Sequence, residues 1–227
     1  MLNFAMRIYC MIIYFISGLA ADSSVFNAIR LPAGYEARYL DWIPAQKNES
    51  LPHYALRLAE KIDNKQPFAL AGLSFGGMLA VEIAKQYKPA FTILLASIPL
   101  SKQLPVYYKL AGKLGLHKVV PVSLATNPVI AKWFFSAKSE ADRAMIKDIV
   151  QEIDISFIRW GMDAILKWKN NVKPEPLWHI HGTKDSILPV RYTSPSHTIP
   201  GAGHLFVSGN SEKINQLLTE ILTPALA

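Results

Sequence analysis

Ala69-Leu70-Ala71-Gly72-Leu73-Ser74-Phe75-Gly76-Gly77-Met78 sets a single serine between glycines, where a continuous apolar run gives way to a helical pattern. The run before it, residues 68–72, suits a strand buried on both faces. The residues after it, 76–87, carry apolar side chains at Met78, Leu79, Val81 and Ile83 before Pro89 closes the helix. A Gly-x-Ser-x-Gly sequence at such a junction has a physical reason. The serine is forced into a tight strand-to-helix turn, Gly72 and Gly76 let the two backbones approach, and the hydroxyl is lifted above the sheet edge. The N–H of the next residue, Phe75, opens the helix and faces any negative charge that develops beside the serine. A purely structural turn would use the same residue types, so reading Ser74 as a nucleophile depends on partners elsewhere in the chain.

A serine hydroxyl at neutral pH needs a base, and the base needs an orienting group. After the strand candidate at 176–181 comes His181-Gly182-Thr183-Lys184-Asp185, which puts a carboxylate on the following loop. Pro200-Gly201-Ala202-Gly203-His204 puts a histidine on a glycine-rich loop just beyond the last strand candidate. Ser74, Asp185 and His204 thus each fall past the C-terminal end of a strand, where open α/β sheets collect ligands. Asp154 and Asp163 are the fallback carboxylates. The histidines at 53, 117, 179, 181 and 197 are given structural roles, and Asp22 the role of a helix N-cap. An oxyanion needs a second backbone N–H, from the loop after the strand neighbouring that of the serine. Ser17-Gly18-Leu19-Ala20 follows the first strand candidate, so Leu19 and Phe75 are the expected donors.

Working outward, buried-strand runs occur at residues 7–16, 68–72, 91–97 and 176–181, with weaker ones at 35–41 and 192–199. Helical patterns at 50–62, 76–87 and 211–222 alternate with them, which predicts a parallel sheet covered on both faces. The rhythm breaks between about residues 100 and 173, a stretch rich in aromatics and broken by Pro105, Pro121 and Pro128. It reads as a helical insertion within one domain that spans 1–227. Residues 7–20 also imitate a signal peptide, which would make the protein secreted, but the run is too short for a membrane span. Cleavage near Ala20 would delete both a strand and the Leu19 donor, so the strand reading and a cytoplasmic setting are favoured.

The 227-residue length and 51% hydrophobic content suffice for one packed domain. The lone Cys10 excludes an internal disulfide framework and a cysteine-based metal site, and no metal or cofactor is expected. The net charge of +7 is concentrated in residues 101–173, which hold 12 Lys/Arg against 6 Asp/Glu. With no phosphate loop and no arginine–aromatic array, nucleic acid is not the expected partner; a solvated helical face or a dock for an acidic carrier protein remain.

GLSFGG, HGTKD and GAGH, in that order and spacing, resemble the α/β-hydrolase superfamily across nearly the whole chain. The resemblance implies Ser74 as nucleophile, His204 as base and then acid, Asp185 as its orienter, and the insertion as a lid over an acyl pocket. Two departures stand out. Ser17-Gly18 replaces the usual His-Gly before the oxyanion loop, and the antiparallel strands that normally open the fold are missing, which leaves a minimal sheet of about six parallel strands. The elbow is similar to those of thioesterases acting on carrier-bound acyl groups and of small carboxylesterases. The expected reaction is cleavage of an ester or thioester through an acyl-enzyme, with Trp133, Phe157, Trp160 and Met162 suited to an apolar acyl group. The competing reading is a non-catalytic α/β-hydrolase-like module that binds an apolar small molecule.

Overall fold

The computed structural model describes residues 10–115 and 154–223. The calls on His117 and Trp133, and the middle of the 100–173 insertion, lie outside the described residues.

The strands are β1 (Met11–Ile16), β2 (Tyr35–Tyr39), β3 (Phe68–Leu73), β4 (Thr92–Leu95), β5 (Leu177–Gly182) and β6 (His197–Ile199). They form one six-stranded sheet in the order β2-β1-β3-β4-β5-β6, with every neighbouring pair parallel. The chain leaves β1 for one edge and then crosses to its other side at β3. The C-terminal ends of β1 and β3 therefore flank the point where the winding reverses, the place where such sheets bind ligands.

Why the strands read as unbroken apolar runs is visible in the core. Along β1, Tyr14 and Ile16 join one hydrophobic layer while Ile13 and Phe15 join the other; along β3, Phe68 and Leu70 face the first and Ala69, Ala71 and Leu73 the second. Both faces are dry, so both alternating positions must be apolar. The first layer is covered by α1 (Leu51–Ala59), α2 (Phe75–Tyr87) and α4 (Ile155–Lys167); α3 (Val106–Lys113) leads into the insertion. The second is covered by α6 (Ser211–Leu222), the single-turn α5 (Phe206–Gly209) and the 3-10 turn Ser23–Phe26.

Local chemistry accounts for the boundaries. Ser50 caps α1, accepting the His53 N–H at 3.4 Å, with Pro52 in the first turn. Asp22 caps the 3-10 turn through the Ser24 N–H at 2.9 Å. Lys88 ends α2 in the left-handed region ahead of Pro89. The final strand is shorter than the pattern at 192–199 suggests, because Val190–Tyr192 forms a 3-10 turn and only His197–Ile199 pairs. Among the described residues no helix is long and apolar enough to cross a membrane.

The insertion is tied back by a buried polar knot. Glu82 on α2, paired with Lys85, accepts the Trp168 indole N–H at 2.7 Å. Asn170 donates to the Pro99 and Val172 carbonyls, both at 2.8 Å. The end of α4 is thereby fixed to the end of β4, next to the serine's helix.

The elbow glycines are demanded by packing. A Cβ on Gly76 would lie 2.2 Å from the carbonyl oxygens of Ile16 and Ser17, and one on Gly72 would lie 2.4 Å from the Gly76 oxygen. Backbone on both sides cannot yield as a side chain could. Gly76→Ala is expected to cost about 3 kcal/mol or more in urea unfolding, at the top of the range for overpacking. A loss below about 1 kcal/mol would contradict this close approach of α2 to β1.

Candidate active site

Ser74 sits at the junction of β3 and α2 with φ 53° and ψ −115°, a left-handed conformation costly for a residue with a Cβ. Its backbone is held from three sides. The Ser74 N–H donates to Leu95 O at 2.9 Å, while its carbonyl accepts the Gly77 N–H at 3.0 Å and the Ser97 hydroxyl at 2.6 Å. Ser97, fully buried after β4, was not singled out by sequence reasoning; its only signal is a polar residue inside the apolar run 91–98.

The loops after β5 and β6 carry the other two residues and are bound together. Thr183 N–H donates to Ile199 O at 3.1 Å, Lys184 N–H to Ala202 O at 2.8 Å, and Gly201 N–H to the Thr183 hydroxyl at 2.8 Å. Asp185 and His204, 130 residues beyond Ser74 in the case of the histidine, meet the serine in one line. His204 Nε2 lies 2.8 Å from Ser74 Oγ, and His204 Nδ1 lies 2.7 Å from Asp185 Oδ2. Asp185 and His204 are buried, and Ser74 is partly open.

The electrostatics follow from these contacts. Burial alone would push the Asp185 carboxyl up, but the neighbouring His204 and His181 imidazoles outweigh it and hold the group well below the usual carboxylate range. Asp185 Oδ1 also accepts the Ile187 and Leu188 N–H groups at 2.9 and 2.8 Å. A carboxylate facing Nδ1 requires the proton on that nitrogen. Nε2 is then left with its lone pair toward the Ser74 hydroxyl, the arrangement in which an imidazole can take a proton from the serine.

The loop after β1 passes beside the elbow. A Cβ on Gly18 would be 3.6 Å from Ser74 Cβ. The loop is shaped by Ser17 Oγ donating to Ala21 O at 2.8 Å and by the Trp42 indole N–H donating to the same oxygen at 2.7 Å. Ala20 adopts φ 72°. Leu19 presses its side chain into α4, where a Cβ on Gly161 would meet Leu19 Cδ1 at 2.5 Å. Phe75 opens α2, its ring 5.9 Å from each of Trp42 and Trp160.

Of the expected acyl-pocket residues, Phe157 and Trp160 join an aromatic cluster with Trp42, Tyr54 and Phe75. They also line an open cleft of about 710 Å³ between the loop at 42–48 and the start of α4. Neither Ser74 nor His204 lines that cleft; Trp42, in its wall, sets its ring 5.9 Å from that of Phe75. Met162, 38% exposed, is not part of its wall. Asp154 is engaged in capping α4 through the Ser156 and Phe157 N–H groups, and Asp163 pairs with Lys167. His53 packs beside the buried Glu49 carboxylate at 2.6 Å. Among the described residues, no group of three His, Cys, Asp or Glu side chains could hold a metal ion.

The fold is the one shared by solved α/β-hydrolase structures, and it holds this line of three side chains at the C-terminal ends of the strands. More particularly, residues 20–104, which include the elbow, match the family model described as a thioesterase domain. No curated protein matches the sequence. Among solved structures, MenH from S. aureus superposes with a TM-score of 0.71 at 13% identity, over 96% of this chain and 95% of that one. The enol-lactonase from Burkholderia xenovorans LB400 gives 0.63 at 14% identity, over 94% and 92%. ClbQ, from the colibactin NRPS/PKS pathway, gives 0.57 at 14% identity, over 95% and 98%.

Proposed function

We propose that the protein is a serine hydrolase that cleaves acyl esters or thioesters through an acyl-enzyme on Ser74. The observation that carries this reading is the unbroken contact from Ser74 Oγ through His204 to Asp185, set on a strained elbow. His204 Nε2 takes the Ser74 proton as Oγ bonds to the substrate carbonyl carbon, and the carbonyl π electrons move to oxygen. The Leu19 and Phe75 N–H groups stabilise that oxyanion. His204 then returns the proton to the departing alkoxide or thiolate as the C–O or C–S bond breaks. A water, deprotonated by the same nitrogen, releases the carboxylic acid and restores the serine. Phe157 and Trp160, in the aromatic cluster that reaches Phe75 beside Ser74, are the side chains offered to an apolar acyl chain.

The matched thioesterase region supports a thioester leaving group, and the basic stretch at 101–173 supports an acidic carrier as its source. The test is labelling of the intact protein by a fluorophosphonate probe, followed by turnover of p-nitrophenyl esters and acyl thioesters. Labelling at Ser74 with measurable hydrolysis is expected, and turnover of carrier-bound substrate should fall with rising salt while that of small esters stays flat. An unlabelled Ser74 and no turnover across the panel would favour the ligand-binding module instead.

A further inference from the structure

The Asp185 carboxylate has a second imidazole neighbour. His181, at the inner end of β5, lies fully buried with Nε2 3.1 Å from Asp185 Oδ2, the same oxygen that faces His204. His181 Nε2 is also 2.7 Å from the Leu188 carbonyl oxygen. A carbonyl can only accept, so Nε2 must carry a hydrogen, shared between Leu188 O and Asp185 Oδ2.

One pair of residues further back, the line of contacts continues and agrees with that assignment. His179, two residues along β5 and on the same face, sets its Nε2 3.0 Å from His181 Nδ1. The Thr193 hydroxyl lies 3.4 Å from His179 Nδ1. Burial, reinforced by the neighbouring His181, pushes His179 down to about 3, so it is neutral in the neutral range. With His181 Nε2 protonated, its Nδ1 accepts from His179 Nε2–H, and His179 Nδ1 is left to accept the Thr193 hydroxyl. All the donors point one way, from Thr193 through His179 and His181 to Asp185.

We propose that His181 is a positioning residue for the serine–histidine–aspartate line, supplying a second N–H to the oxygen that orients His204, with the Leu188 carbonyl fixing the nitrogen that bears the proton and His179 donating to the other. This rests on the serine-hydrolase reading. The role is specific because each Asp185 oxygen now has two donors. Oδ1 takes the Ile187 and Leu188 N–H groups, and Oδ2 takes the two imidazoles. Without the His181 donor, Oδ2 is held, among the described residues, only by His204, the group whose ring it must aim, and the carboxylate can swing with it. The Leu188 carbonyl would lose its buried partner as well.

Three measurements on the full chain test this. His181→Leu removes the donor and is expected to lower kcat by roughly 10- to 100-fold with KM within about twofold, the scale of losing a hydrogen bond to a charged group. His181→Gln sets an amide nitrogen near the position of Nε2 and should recover kcat to within about threefold of wild type. A residue that only fills space would be served better by leucine than by glutamine. Histidine-selective nitrogen NMR of the wild type should show both His179 and His181 protonated at Nε2 and bare at Nδ1, and it decides the matter even if the leucine variant does not fold. A folded His181→Leu protein with wild-type kcat, a glutamine variant no better than leucine, or a His181 proton on Nδ1 would each overturn the proposal. The hydrolase reading fails differently, by an unlabelled Ser74 and no wild-type turnover, and leaves the NMR result able to support or refute the proton chain.

Discussion

Ser74→Ala is expected to lower kcat/KM by about 10⁴- to 10⁶-fold while leaving the fold intact. The substitution deletes the one atom that would bond to the acyl carbon. It leaves untouched the contacts that shape the elbow, since these run from the Ser74 backbone to Leu95, Gly77 and Ser97. Ser74 Oγ itself makes a hydrogen bond to His204 Nε2, at a partly open position where water can replace it. The change in unfolding free energy should therefore stay within about 1 kcal/mol. Residual hydrolysis is expected from substrate binding and the proposed Leu19 and Phe75 N–H donors alone. Steady-state kinetics on a p-nitrophenyl ester, beside a thermal melt, separates the two effects. Activity within tenfold of wild type would mean that the acyl group never reaches Ser74.

Asp185→Asn should be the next most damaging change, lowering kcat by about 10³- to 10⁴-fold, and the reason is the direction of protons. The Ile187 and Leu188 N–H groups both donate to Oδ1, so the amide oxygen of asparagine takes that position. Its NH2 group is then turned to the place of Oδ2, facing His204 Nδ1. His204 can accept there only by moving its own proton to Nε2, where it can no longer receive the serine's. Flipping the amide offers no escape, because the NH2 would then face two backbone donors. On the other side, the NH2 meets the His181 Nε2–H, donor against donor. A destabilisation of about 1–3 kcal/mol should accompany the kinetic loss, as buried donors are left facing each other. A variant within tenfold of wild-type kcat would show that Asp185 does not set the His204 tautomer.

Much of this arrangement is legible in the sequence. Gly72 and Gly76 around Ser74 announce a close backbone approach, and the structure places Gly76 against the Ile16 and Ser17 carbonyls. Asp185 and His204 were readable because each sits just past a strand on a loop with turn chemistry, in the chain order that the elbow requires. The helix bounds at 211–222 and the Asp22 cap were local matters of periodicity and capping, and they stand. What local pattern could not tell was which buried polar groups touch. His179 and His181 read as packing residues because an alternating strand position says only that a side chain faces inward. It says nothing of the Asp185 loop folding back over that end of β5. Ser97 was hidden for the same reason, its partner being the carbonyl of a residue 23 positions earlier.

The acyl-pocket residues mark the other boundary. Phe157 and Trp160 were named for their aromatic character, and their place beside Trp42, Tyr54 and Phe75 depends on α4 docking across the sheet's first layer. That docking is decided by the long-range contacts of Leu19 with Gly161 and of Trp168 with Glu82. By itself the sequence determined the parallel α/β class, the elbow serine and the two residues in line with it, because strand burial, helix periodicity and tight turns are properties of neighbours along the chain. Only the tertiary structure decided the donor count on Asp185, the support behind Ser74 and the wall of the cleft. Hydrogen-bond direction and aromatic contact depend on distances of a few ångströms between segments far apart in sequence, and no spacing rule encodes them.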